Sequence, residues 1–572
     1  MKPMRTPLAV VALAALTIAP PPARAQGPIP RYAGVTAARL AQPEPGNWLF
    51  YRGTYDGWGY SALDQIDATN VQDLAPVWTF STGVTGGHES PPLVNDGVMF
   101  VTAPRNLLFA LDARTGELLW RYTHELPESL VAFHNTNRGV ALWGDKVYMA
   151  TLDARVVALD ARTGAVVWNV SVEDNSRGYY MTLAPLAADG KVMVGVSGGE
   201  LGIRGFVAAL DAETGAQAWK TYTIPAPGEP GNDTWPGESW RTGGAPVWIT
   251  GHYDPELGLT YWGTGNPGPW IGDQRPGDNL YTNSVLALDV ATGRIRGYHQ
   301  YHWNDSWDWD EVSTPILMPV RRDGREFRAL VHPGRNGYLW LLERHADAIS
   351  FVDAVPYVYQ DAFASIDPET GRPTYDPAHK PGTGFATPFC PSLWGGKDWP
   401  PAAYNPRTRL VYIPVNENHC GVIEGREVVY TPGSSFTGAS TEFTLRPGAD
   451  HIGELQAWDM DSGREVWTHE FESHNWGGIL TTAGDLVFSG GTSDRYFRAF
   501  DARAGGELWR FRTNSGVIGV PSTFAVDGVQ YVAVQSGWGV DAASMTARID
   551  QARGTNTFVP QGGVVWVFAL RS

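Results

Sequence analysis

The sequence predicts an all-β chain, a single eight-bladed β-propeller with tryptophan-docking repeats. Three observations predict it. First, the frame Ala-Leu-Asp-Ala-Arg-Thr-Gly-Glu-Leu-Leu-Trp at Ala110 to Trp120 returns at Ala158 to Trp168, Ala209 to Trp219, Ala457 to Trp467 and, with one altered turn residue, Ala499 to Trp509. A degenerate copy, Ala287 to Gly297, has lost its tryptophan. Second, the three early tryptophans lie 48 and 51 residues apart and the last two 42. A period of roughly 40–50 residues with four strands per unit marks a propeller. Third, glycine (66), proline (42) and tryptophan (24) are abundant while lysine is scarce, which favours strands and turns over long amphipathic helices.

In chain order, Met1-Lys2-Pro3-Met4-Arg5 is a short basic region. An apolar run from Leu8 to Ile18 and the small-x-small sequence Ala23-Arg24-Ala25 follow. Residues 1–25 therefore read as a secretory signal cut after Ala25, and the mature chain as an exported, periplasmic protein. The run is too short to span a bilayer. Residues 26–47, rich in proline and alanine, read as an N-terminal arm, and residues 48–572 as the propeller. Within each unit the apolar residues before the Asp alternate as in a strand. The Asp accepts hydrogen bonds from turn amides, Thr-Gly makes the turn, and the Trp packs flat on the neighbouring unit. Val98 to Thr102, Lys146 to Thr151, Lys191 to Ser197 and Leu486 to Ser489 supply strands between copies. Blades five and six draw on Arg328 to Glu343 and Arg409 to Val415, with proline-rich loops such as Asp361 to Lys380 between. The strand near Trp78 and the strand Val564 to Leu570 are expected to close the ring, which removes sheet edges and leaves the site at the central channel.

The net charge of −17 argues against nucleic acid or an anionic membrane as partner and suits a small basic protein. The two cysteines, Cys390 and Cys420, are expected to pair in an oxidising compartment and staple a long loop. No Cys-x-x-Cys-His is present, so no covalent haem is built in. The most concentrated chemistry is Trp303-Asn304-Asp305-Ser306-Trp307-Asp308-Trp309-Asp310. Residues two apart in an extended segment point the same way, so Asp308 and Asp310 are expected to present both carboxylates to one point. A shared cation relieves their repulsion.

With the docking tryptophans, a series of short motifs resembles the quinoprotein alcohol dehydrogenases, the family that uses pyrroloquinoline quinone (PQQ), over nearly the whole mature chain. His88-Glu89-Ser90 matches the segment whose Glu contacts PQQ, and Asn137-Arg138-Gly139 the one whose Arg binds a PQQ carboxylate. Thr151-Leu152-Asp153 carries the matching Thr hydroxyl. Ser197-Gly198-Gly199-Glu200 matches the stretch in which Ser and glycine amides hold PQQ and Glu ligates the metal. Gly244 to Trp248 carries the indole floor under PQQ, and Thr264 to Trp270 the metal-ligating Asn266. Trp307-Asp308 carries the catalytic Asp, and Gly334-Arg335-Asn336-Gly337 the Arg beside the reactive carbonyl. Asp398 and Trp399 of Gly395 to Trp399, with Trp476 and Gly477 of Asn475 to Gly478, complete the pocket by resemblance. The chemistry is consistent: a planar tricarboxylate needs cationic and hydroxyl partners and a flat apolar surface, and a hard cation needs oxygen ligands such as Glu200 and Asn266.

Two departures stand out. Most members place a disulfide between adjacent cysteines over the quinone. Here Leu130-Val131-Ala132-Phe133-His134-Asn135-Thr136 has no cysteine, which leaves Phe133 or His134 to cap the ring. Calcium-dependent members usually have a small residue two places after the catalytic Asp, whereas Asp310 resembles the lanthanide-dependent branch. Glu200, Asp308 and Asp310 then give one metal three carboxylates, which a trivalent cation offsets better than calcium.

The resemblance implies oxidation of an alcohol to an aldehyde or ketone. The cation acts as Lewis acid on the quinone carbonyl, Arg335 stabilises the oxygen that gains charge, Asp308 is the general base, and Asp310 holds the metal. Electrons are expected to leave for a soluble cytochrome c. Trp303, Trp307, Trp309, Phe133 and Trp476 are expected to wall an apolar pocket for a broad range of alcohols, bulky or secondary ones included. The alternatives are a calcium-dependent enzyme in which Asp310 is incidental, and a non-catalytic propeller scaffold, which has no reason to keep Glu200, Asn266, Asp308 and Arg335 together.

Overall fold

Each repeat folds around its aspartate. Asp160 Oδ1 accepts from the backbone N–H of Arg162 at 3.0 Å and of Thr163 at 2.8 Å, and Gly164 takes the left-handed step at φ 70°. The flanking strands Arg155–Asp160 and Val166–Ser171 leave this turn antiparallel, with a slip in register next to Trp168. The same slip occurs in the other copies. The computed structural model describes residue 29 and residues 32–571. The expected signal segment, residues 1–25, lies outside the described residues.

The repeats lock together through their tryptophans. The Trp120 indole N–H donates to the Ala161 carbonyl at 3.1 Å, Trp168 to Ala212 at 3.1 Å, Trp219 to Val290 at 3.1 Å and Trp467 to Ala502 at 3.3 Å. Each acceptor is the residue after the Asp of the next repeat, the degenerate copy included. The indole face lies on that repeat's turn glycine: a Cβ at Gly164 would stand 2.6 Å from Trp120. Gly164 is thus fixed twice, by its φ and by its neighbour's ring. Gly164→Ala is expected to destabilise the chain by about 2 kcal/mol, measured as a fall in the denaturant midpoint at unchanged slope. An unchanged midpoint would refute the docking role.

Eight sheets of four or five strands occur among the described residues. Their first strands are Leu93–Asn95, Ala141–Trp143, Leu186–Ala188, His252–Asp254, Ile316–Arg322, Ala403–Asn405, Leu480–Thr482 and Ser522–Val526. Most of the expected strands fall within a residue or two of those found, and the span Arg328 to Glu343 covers two of them, Arg325–Pro333 and Tyr338–Arg344. In the last sheet, Leu74–Ser81 pairs with Val564–Leu570 with Leu74 opposite Leu570 and Ser81 opposite Val564, as expected for the two strands named from the sequence. The sixth sheet carries an insertion in which Ala386–Phe389, His419–Gly425 and Ala439–Leu445 form a separate three-stranded sheet. The Cys390–Cys420 disulfide staples it. Residues 32–48 lie against the first two sheets: Val35 bridges to Gly144, Trp48 to Val94, and Leu40 of the short helix Ala37–Ala41 is buried.

Two elements were not anticipated. The expected loop Asp361 to Lys380 contains the hairpin Phe363–Ile366 and Pro373–Tyr375. The connection between Val529–Ser536 and Val564–Leu570 is a helix, Val540–Arg553, which buries Ala542, Met545, Thr546 and Ile549.

Candidate active site

A buried or partly buried residue leads into the first strand of each sheet. The residue four positions before it is Glu89, Asn137, Thr182, Trp248, Val312, Trp399, Trp476 and Ile518 in turn. Trp248, Val312, Trp399, Trp476 and Ile518 pack in one apolar cluster. Arg138, next to Asn137, joins the polar members to it. Its guanidinium lies 4.8 Å from the ring centres of both Trp248 and Trp399. It donates to Thr182 Oγ1 at 2.7 Å and stands 2.9 Å from Glu89 Oε2 as an ion pair. The Glu89 oxygen is not aligned as a hydrogen-bond acceptor.

A second set of residues follows the second strands of the third, fourth and fifth sheets: Ser197 to Glu200, Asn266 and Arg335. Thr182 and Trp248 of the first set, with Arg138, meet Ser197, Gly198, Glu200 and Arg335 of the second at a cavity of about 210 Å³. Arg138, Thr182, Ser197, Gly198, Glu200, Trp248, Asp308, Asp310, Arg335 and Asp398 line it. Gly199 backs it closely: a Cβ there would stand 3.0 Å from Pro246 and 3.3 Å from Asn266 Oδ1.

Asp308 and Asp310 do share this cavity, but not by lying on an extended strand. Asp308 has φ 65° and Asn304 φ 48°, so the loop turns left-handed at both. Asp305 makes that shape. Its Oδ2 accepts from the N–H of Trp307 at 3.3 Å and of Asp308 at 3.1 Å, and its Oδ1 meets His302 Nε2 at 3.0 Å. Glu311 does the same for the opposite wall, accepting from the N–H of Arg335 at 3.1 Å and of Asn336 at 3.2 Å. It also pairs with His332 at 2.6 Å and faces His302 at 3.6 Å. One fully buried row, Asp305, His302, Glu311 and His332, therefore holds the backbones of both Asp308 and Arg335.

Electrostatics make the cavity acidic and tense. Burial, reinforced by Glu200 and Asp310, pushes the Asp308 carboxyl well above its usual range, with Arg335 opposing. Burial pushes Asp310 up to about 7, again against Arg335. Arg335 is itself held above its ordinary range: burial works against its charge, but Asp398, Asp310 and Asp308 outweigh it. Its Nη2 is 2.8 Å from Asp398 and 3.8 Å from Asp310, and its Nη1 donates to the Asp308 carbonyl at 2.9 Å. Asp310 is oriented from both sides, by the Asn266 N–H at 2.6 Å and the Trp248 indole N–H at 3.2 Å.

Other expected residues lie elsewhere. The Thr151 hydroxyl donates to Asp153 at 2.5 Å and to the Arg155 carbonyl at 3.0 Å and does not line the cavity. Thr182 does, 3.2 Å from Ser197 Oγ. Trp476 points its N–H at Met545 Sδ, 3.2 Å away on the helix, and Gly477 packs on the Gly490 backbone. Both stand behind the cavity wall. The expected aromatic walls are also corrected. Trp307 and Trp309 are fully buried, stacked 4.9 Å apart, and bonded to the His379 and Ser392 carbonyls. Trp303 stacks on Tyr375 outside the cavity. Phe133 is 47% exposed, while Leu130, Val131 and Ala132 pack on Leu152, Tyr180 and Leu201. The aromatic walls are Trp248, Trp270, Trp394 and Tyr180 instead, and His134 and Asp541 stand 3.6 Å apart in the same lining.

A family profile described as "Glucose/ethanol/alcohol dehydrogenase, beta-propeller domain" matches residues 48–348 and 468–532. The chain is 40% identical over 541 residues to quinoprotein alcohol dehydrogenase PedH of Pseudomonas putida, covering 90% of this chain and 89% of that one. The chain belongs to the PQQ-dependent quinoprotein alcohol dehydrogenases. This quinoprotein is also 39% identical over 527 residues to a lanthanide-dependent methanol dehydrogenase of Methylacidiphilum fumariolicum, covering 87% and 86% of the two chains. The solved structure of a europium-containing methanol dehydrogenase superposes with a TM-score of 0.88 at 36% identity, over 93% of this chain and 100% of that one. The all-β propeller class and the enzyme reading hold, and the scaffold alternative falls.

The quinoprotein's own residues fit its cofactor. Arg138 Nε and Arg335 Nε are buried without an acceptor among the described residues, beside the hydroxyls of Thr182 and Ser197 and the Trp248 indole. That set suits a flat polycarboxylate. Asn266 Oδ1 and Asp308 Oδ1 are likewise buried and unpaired, and with Glu200 and Asp310 they form an all-oxygen donor set for a hard cation. Among the described residues no three His, Cys, Asp or Glu side chains are grouped closely enough to hold a metal by themselves, and this set offers the Asn266 amide oxygen beside its carboxylates.

Proposed function

We propose that this quinoprotein is a periplasmic, lanthanide-dependent alcohol dehydrogenase that hands its electrons to a cytochrome c. The observation that carries the metal reading is that three carboxylates, Glu200, Asp308 and Asp310, line one cavity, backed at Gly199 by the unpaired Asn266 oxygen. When bound, PQQ supplies the hydride acceptor and the cation a Lewis acid. The chain's residues do the rest. Asp308 Oδ1 takes the alcohol proton. Arg335, kept charged by Asp398, stabilises negative charge at the cavity. Asp305 and Glu311 fix the two by their backbones. The expected result is turnover of the apoprotein with PQQ and lanthanum in a dye-reduction assay. Turnover with calcium alone discards the lanthanide reading.

A second reading has its own support. Both Asp310 oxygens already accept hydrogen bonds, from Asn266 and Trp248, which suits a calcium enzyme in which Asp310 only orients the indole floor. We read the eight sheets as eight blades of one ring over residues 48–572, preceded by the arm 26–47 and a removed leader 1–25. Export predicts a mature protein beginning at Gln26, and an intact Met1 in the purified protein would contradict it. The cavity lining of His134, Leu393 and Trp394, without adjacent cysteines, supports a broad substrate range with bulky or secondary alcohols. Activity confined to methanol and ethanol would overturn this. Reduction of a soluble cytochrome c by the reduced enzyme tests the acceptor.

A further inference from the structure

Trp399, whose indole lies over Arg138, also lines a second cavity of about 30 Å³. Tyr51, Arg52, His252, Ser313 and Lys397 share that lining. Apart from Trp399, it contains no group assigned to the oxidation. We propose that this cavity is a binding site for a small monovalent anion, with chloride as its simplest occupant.

The polar groups define the guest. Arg52 is 1% exposed. Its Nη2 donates to the carbonyls of Ala402 at 2.9 Å and Ile479 at 2.6 Å, both uncharged. Its Nε and Nη1, and the Tyr51 hydroxyl, are buried with no partner among the described residues. Lys397, 2% exposed, donates to Ser313 Oγ at 2.8 Å and to the Asp398 carbonyl at 2.7 Å, again uncharged acceptors. Two buried cations thus face one small cavity: Arg52 is held by neutral oxygens alone, while Asp398 and Glu311 offset part of the Lys397 charge. A buried charge without a counter-charge is strongly unfavourable. The strain is visible in both: burial pushes Lys397 down to about 7 and Arg52 to about 10. An anion supplies the missing charge and accepts from the free N–H and O–H groups together. Roughly 10–15 Å³ of such space holds one water, so a cavity of about 30 Å³ admits a single small guest, and a halide, somewhat larger than water, fits that class.

The site joins separate parts of the chain. Tyr51 and Arg52 come from the segment before the first sheet, His252 opens the fourth, Ser313 precedes the fifth, and Lys397 precedes the sixth. Lys397 adjoins Asp398, whose carboxylate pairs with Arg335. The anion therefore acts as a structural clamp behind the catalytic wall, and binding to the folded state alone must raise stability.

The test uses the PQQ-loaded holoenzyme. Crystals grown in sodium bromide, measured at the bromine edge, should show an anomalous peak within hydrogen-bond distance of Arg52 Nε or Nη1 and the Tyr51 hydroxyl. The melting midpoint in sodium chloride should exceed that in sodium gluconate at equal ionic strength by roughly 2 °C. Tyr51→Phe, which keeps the ring, should weaken the apparent chloride affinity about tenfold. Ordered water without an anomalous peak, equal midpoints in the two salts, or a chloride response unchanged in Tyr51→Phe would each overturn the proposal.

Discussion

Asp308→Asn is expected to lower kcat by roughly 10³-fold while PQQ stays bound. The amide keeps the side chain's shape, and the backbone N–H remains fixed by Asp305 Oδ2 at 3.1 Å, so the loop should not move. What is lost is a proton acceptor, since Asp308 Oδ1 is buried and committed to no other group among the described residues. Removing one of three carboxylates also relieves the repulsion from Glu200 and Asp310, so the variant should be at least as stable as the parent. The checks are steady-state kinetics with saturating PQQ and metal, the absorbance of bound quinone, and a melting curve. Turnover within tenfold of the parent would remove Asp308 from the chemistry.

Asp310→Ala is expected to cost roughly 100-fold in lanthanide affinity and most of the lanthanide-supported turnover. Alanine removes a prospective ligand and the acceptor of two hydrogen bonds, from the Asn266 N–H and the Trp248 indole. These two losses separate experimentally. If Asp310 binds metal, excess lanthanide should restore part of the rate. If it serves only the indole, PQQ affinity should fall and added metal should restore nothing. Titrating lanthanum against turnover, with PQQ binding followed by fluorescence, distinguishes them.

The repeat was legible because it is local. Asp, Thr-Gly and Trp sit within eleven residues, and each does in the structure what its chemistry suggests. The site residues were named through motif resemblance, and the structure places them unevenly about the cavity. Thr151 and Thr182 both lie near the ends of strands, and only the register of sheet entry separates them. Thr182 stands four residues before Leu186–Ala188, as Trp248 stands before His252–Asp254, whereas Thr151 follows Lys146–Ala150. The fates of Trp307 and Trp309 were not legible, because their partners, the His379 and Ser392 carbonyls, lie 72 and 83 residues away. The helix Val540–Arg553 carries a signal in the sequence: Ala542, Met545, Thr546 and Ile549 fall on one face, with Gly554 at its end.

The pairing of Leu74–Ser81 with Val564–Leu570 fixes when this molecule can be finished. Nearly five hundred residues must be made before the earlier strand meets its mate. Until then its Trp78 can dock on Ala113, yet one edge of the strand has no ladder to join. Completion is therefore an event of the whole polypeptide, with a high cost in chain closure. An emerging chain must keep that edge from other chains in the meantime. A shortened product that ends before Val564 should accumulate as aggregate, however well its earlier repeats have formed.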